Sequence, residues 1–292
     1  MVTNAHRGFL TAVFMLWAFS VVPVPAFADH SWGGYHWART KNPFTVYLGK
    51  NVSSAWGDYL AIARNDWFIT NLLDPQIADG SAGSNLRKCS PTNGRVEVCN
   101  YRYGTNGWLG VAQIWITGGH IYQGTVKLND SYFDNARYPQ YNSPAWKMLV
   151  MCQEVGHTFG LDHQDETLGG SNLGTCMDYT NDPDGPPSNE HPNAHDYEEL
   201  GIIYSHEDGT STVSQTVQSG RGKGKTPPAL ADTDSDGPVE VGTAQWGKLI
   251  RSTNRGRTEL YELDLGRGHK VLTHVIWAEP EEEQPGQRRG QR

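Results

Sequence analysis

Residues 153–163 read Gln-Glu-Val-Gly-His-Thr-Phe-Gly-Leu-Asp-His, and their spacing restricts what this chain can build. Residues four apart on an α-helix lie one turn above each other on the same face. Gln153 and His157 therefore point into one site. Glu154, beside Gln153, can reach a water there without being a ligand. Gly160 lets the chain leave the helix in a left-handed conformation that a Cβ disfavours. The turn carries His163 back towards His157. Three donors, Gln153, His157 and His163, with a fourth position open, make the layout of a catalytic rather than a structural metal site. Neither His has an evident packing role. The plain alternative is a helix that kept its shape and lost its metal.

The segment X-E-x-x-H-x-x-G-x-x-H resembles the long zinc-binding signature of metzincin-type zinc metallopeptidases, of the matrixin and astacin kind. A second stretch supports the resemblance: Gly174-Thr175-Cys176-Met177-Asp178-Tyr179 is similar to the Met-turn, whose Met lies under the metal. The resemblance covers residues 43–206. It implies an α+β fold: a twisted mixed sheet with an active-site helix, a Met-turn and a closing C-terminal helix. It implies one catalytic zinc ion held by Gln153, His157 and His163. Glu154 would be the general base that takes the proton of a metal-bound water, and Tyr179 would donate to the developing oxyanion. Gly160 and Met177 would shape the site. Gln153 departs from the pattern, where the family has His. Its amide oxygen is a neutral, harder donor than imidazole and is expected to hold zinc less tightly. The expected function is a secreted metal-dependent endopeptidase acting on peptide or protein substrates. The alternative is a metzincin-shaped pseudoenzyme that binds peptides or a surface without cutting. A third reading, a structural cell-surface protein, rests only on the C-terminal region.

Export is expected from the first residues. His6 and Arg7 precede an apolar stretch over 9–22, and Ala26-Phe27-Ala28 forms an A-x-A cleavage site. Pro23 and Pro25 interrupt that stretch before it could span a bilayer, and no other segment is long enough. Four Cys in an exported chain suggest two disulfides, for which three pairings exist. Cys89 and Cys99 flank a Pro-Thr-Asn-Gly turn and are expected to close a local loop, which leaves Cys152 to pair with Cys176. Cys152 as a metal ligand is the rival, but it points roughly 100° away from Gln153 on a helix. A formal net charge of −8, with no basic stripe, argues against a nucleic-acid partner.

The organisation follows composition. The chain divides into a signal peptide at 1–28, the metallopeptidase-like domain at 29–208, a flexible linker at 209–238, a small β-meander at 239–278 and a disordered tail at 279–292. Within the main domain, strands are expected at 44–48, 95–103, 110–116 and 124–128. A helix follows Ser53 or Ser54. The motif helix begins at Asn142-Ser143-Pro144, and Asn193 caps the closing helix. Residues 232–237 look like half a calcium loop, but Thr243 stands where its closing Glu belongs, so a bound calcium has weak support. His120, His191, His195 and His206 read as surface or helix-flanking residues. The protein is expected to act as a monomer, with residues from about Gly209 onward dispensable for the chemistry.

Overall fold

The computed structural model describes residues 1, 30–167, 170–214, 245–253 and 256–278. All but the first residue of the expected signal peptide lies outside the described residues, as do most of the linker, the half calcium loop and the tail. The described chain forms β1 (His36–Trp37), β2 (Phe44–Asn51), α1 (Ser54–Asp66), β3 (Leu73–Asp79), β4 (Arg95–Tyr101), β5 (Trp108–Thr117) and β6 (His120–Asn129). These are followed by α2 (Asp130–Phe133), α3 (Pro144–His157), α4 (Ala194–Ile203), β7 (Lys248–Thr253), β8 (Thr258–Gly266) and β9 (His269–Trp277). The fold is mixed α+β, with one large mixed sheet and few helices.

The sheet runs β3-β2-β4-β6-β5-β9-β8-β7, with β1 paired to β6. The first four of these strands are parallel to one another, whereas β5, β9, β8 and β7 pair antiparallel. Strands β4 and β5 are buried over most of their length on both faces, as their Val, Ile and Trp content favours. Strand β3 carries Pro75, which masks it as a strand in the sequence. It lies at the sheet edge, where a missing amide costs little.

Helix α3 starts as its sequence dictates. The Ser143 hydroxyl accepts the Trp146 amide at 3.2 Å, and Pro144 takes the first turn, where its missing N–H leaves no gap. All but two of its residues are buried, and it packs on α1, β5 and β6. Gly160, at φ +101°, ends the segment. A Cβ there would run into the Tyr35 carbonyl, and only glycine adopts that conformation at little cost. Helix α4 has a full capping box: Asn193 accepts from the His195 and Asp196 amides, and Asp196 reaches back to the Asn193 amide at 2.7 Å. The disulfides Cys89–Cys99 and Cys152–Cys176 are both formed, with Cα separations of 5.9 and 6.0 Å.

The C-terminal meander exists, but it does not stand apart as the composition suggests. Strand β9 pairs with β5 from Trp108↔Trp277 to Thr117↔His269, so the meander extends the main sheet. The reason is physical. Beyond β6, β5 would present an unpaired row of amides and carbonyls, which β9 satisfies. Leu260, Leu272 and Ile276 enter the main core, while Tyr261 and Val275 pack with Trp108 and Val111. Among the described residues no helix is long and apolar enough to cross a membrane.

Candidate metal centre

His157 closes α3 and is fully buried. Its Nδ1 lies 2.9 Å from the Leu161 carbonyl, an acceptor, so Nδ1 carries the hydrogen. The lone pair is then on Nε2, which has no hydrogen-bond partner. His163 repeats the arrangement: its Nδ1 faces the Glu166 carboxylate at 3.3 Å, and its Nε2 is buried and unpartnered. An imidazole whose outer nitrogen donates to a carbonyl or carboxylate, leaving the inner lone pair free, is how protein metal ligands are usually held.

A third imidazole completes the group, and it is not the residue the helix spacing suggests. His274, on β9, is fully buried with both ring nitrogens unpartnered. Its ring centroid lies 3.9 Å from that of His157 and 4.5 Å from that of His163. One ligand atom from each of the three falls within 4.8 Å of the others. Burial, first, and the neighbouring imidazoles, next, push the pKa values of His157 and His274 well below the ordinary histidine value. Both are therefore neutral, as ligation requires. Trp32 stacks on His157 at 5.0 Å and shields it.

Gln153 is fully buried on the same helix face. Its amide NH2 donates to the carbonyls of Cys176, at 2.8 Å, and Asp178, at 3.4 Å, while Oε1 has no hydrogen-bond partner. Three buried imidazoles, with one buried amide oxygen on the same helix face as His157, fit a divalent ion with borderline-soft preferences such as zinc.

Glu154 lies against β5. Burial pushes its pKa well above the ordinary carboxylate range, only partly opposed by the Ala112 amide. Its Oε2 is 3.7 Å from His274 Nδ1. Gly110 on β5 makes this possible, because a Cβ there would fall 2.5 Å from Glu154 Oε1. Met177 is fully buried, and its carbonyl accepts the Gln164 amide at 2.7 Å, which ties its turn to the motif loop. Tyr179 lies near His163, ring centroids 5.8 Å apart, and its hydroxyl donates to the Arg257 carbonyl at 2.5 Å. Burial raises its pKa.

The C-terminal strands therefore reach the site at three points: His274, the Arg257 carbonyl and Arg251. The Arg251 guanidinium bridges both oxygens of Asp162 at 2.5 Å and reaches Glu166 at 3.4 Å. The expectation that this region is dispensable meets a structure in which it supplies an imidazole. Sequence reasoning missed His274. One signal was available: a single imidazole in the β-prone run Val271-Leu272-Thr273-His274-Val275-Ile276, buried throughout. His191 and His195 stand elsewhere, against Asp66 and His30. His120 and His206 gather around Asp208. Compared with known proteins, the chain matches no family model, no curated protein and no solved structure.

Proposed function

We propose that the chain is an exported, monomeric, zinc-dependent endopeptidase of metzincin type, held in a closed form by its own C-terminal strands. The reading rests on one observation above all: the unpartnered, buried Nε2 atoms of His157 and His163 converge with His274 beside a buried Glu154. Zinc bound there would polarise a peptide carbonyl and acidify a water. Glu154 takes the proton of the attacking water and returns it to the leaving amine. A carboxyl whose pKa is raised by burial suits both transfers.

In the closed form His157, His163 and His274 hold the ion. An extended peptide would add as a strand to the outer edge of β5, as peptides do at exposed sheet edges. That edge is taken by β9. Withdrawal of the strands frees the edge and releases the Tyr179 hydroxyl from the Arg257 carbonyl. The phenol can then donate to the oxyanion. The Gln153 Oε1, already free and buried, then replaces His274 as the third donor.

Cleavage of an unstructured protein is measured with added zinc, for the intact chain and for one cut at a protease site placed within 215–244. Low turnover in the intact chain, a rise after cutting, and loss in Glu154→Gln support the reading. No cleavage in any state, with Glu154→Gln indistinguishable from wild type, overturns it. That result favours the pseudoenzyme, a reading supported by the enclosed site under β9.

A further inference from the structure

We propose that a second divalent-metal site is formed by His36, His120 and Asp208, with His206 beside it. It is independent of the centre on α3. Three imidazoles converge on one carboxylate oxygen: from Asp208 Oδ1, the Nε2 of His36 is 3.3 Å away, that of His120 3.1 Å and that of His206 3.5 Å. The rings crowd each other, with His36 4.9 Å from both His120 and His206, edge to face.

Hydrogen bonding alone does not account for this cluster. The His36 Nδ1 lies 2.8 Å from the Gly34 carbonyl and must carry its hydrogen there. With that hydrogen alone, the ring turns a lone pair towards Asp208, acceptor against acceptor. To donate instead, His36 would need a second proton, in a group where two further imidazoles compete for the same oxygen. A single carboxylate offsets one positive charge, and like charges this close disfavour one another. A divalent cation between them resolves the conflict, because His36 already turns a lone pair inward and the other imidazoles can each do the same.

The dimensions agree. Tetrahedral zinc, with bonds of about 2.0 Å, separates its ligand atoms by about 3.3 Å. His36 and His120 stand 3.3 and 3.1 Å from Asp208 Oδ1, and one ligand atom from each of these three residues falls within 4.8 Å of the others. The surroundings also match a held site. The Asp208 Oδ2 is fixed by the Arg39 guanidinium at 3.3 Å and the Arg39 amide at 3.1 Å, leaving Oδ1 to face the imidazoles. The ion would be held by three protein ligands, with His206 at the rim. It would tie together strand β1, the β5–β6 turn and the segment after α4, three parts distant in sequence.

The test is metal content of the full chain after equilibration with zinc and removal of excess. Wild type is expected to hold two ions per chain, and His36→Ala and His120→Ala one each. Loaded with cobalt(II), wild type should show tetrahedral absorption that falls by about half in both variants. The His120 side chain is 30% exposed, so its variant reports on the site even if His36→Ala fails to fold. His157→Ala, which touches only the α3 centre, should also drop from two ions to one and keep the site at Asp208. If both His36→Ala and His120→Ala retain the wild-type metal content and absorption, the proposal is overturned.

Discussion

His274 Nδ1 lies 3.7 Å from the Oε2 of Glu154, so the last strand of the sheet touches the helix that carries the motif. The contact is possible because β9 takes the free edge of β5, where His274 pairs with Ala112, the residue whose amide faces Glu154. The third imidazole thus arrives through strand pairing rather than helix spacing.

His274→Ala is therefore expected to weaken metal binding by tenfold or more, about 1.4 kcal/mol, with the fold retained. Competition with a chromophoric chelator measures this. Unchanged affinity would remove His274 from the ligand set and return the third position to Gln153 alone.

Gly110→Ala tests how tightly Glu154 is seated. The added methyl would meet Glu154 Oε1 at 2.5 Å and Val150 Cγ1 at 2.7 Å. Neither helix nor strand can give way easily, since both are buried. Overpacking of this kind costs roughly 1–3 kcal/mol, to be read from the urea midpoint at constant slope. A neutral result would mean that the Glu154 side chain moves freely.

Much of this was legible in the sequence because it is local. Ser143 and Pro144 mark the start of α3, Gly160 marks its end, and the i, i+4 rule puts Gln153 and His157 on one face. The cysteine pairing follows from one turn and elimination. Strand β3 was hidden by Pro75, since local propensity does not reveal that a strand will lie at an edge. His274 was hidden for a different reason. Which strand covers the open side of β5 is set by long-range pairing, and no spacing within the meander encodes it. His36 and Asp208 were hidden likewise, brought together from opposite ends of the domain.

Removing the Cys152–Cys176 bond by the double Ser variant is expected to cost about 3–4 kcal/mol, given the separation of 24 residues. It should also loosen the metal, because Gln153 and Met177 adjoin the two cysteines and the Gln153 amide is anchored on the Cys176 carbonyl. Thermal melts with and without zinc read both effects. A variant that loses stability yet binds zinc as tightly as wild type would separate the bond from the site.

The sharpest test lies in the neighbours Glu154 and Gln153, whose expected roles differ. If Glu154 moves protons as proposed, Glu154→Gln should lower turnover by roughly 10²–10⁴-fold while zinc content stays unchanged. Gln153 is proposed as the reserve donor for the open form. Gln153→His should tighten zinc binding in the chain cut within 215–244, where imidazole replaces the weaker amide oxygen. The same substitution should do little in the intact chain, because His274 already fills the third position. A second His at 153 also forfeits the amide bonds to Cys176 and Asp178, so the gain in the cut chain should be smaller than a free imidazole would give. Zinc affinity and turnover are measured for the four combinations of cut and uncut, wild type and variant. If Gln153→His tightens zinc equally in both states, His274 is not a ligand of the closed form.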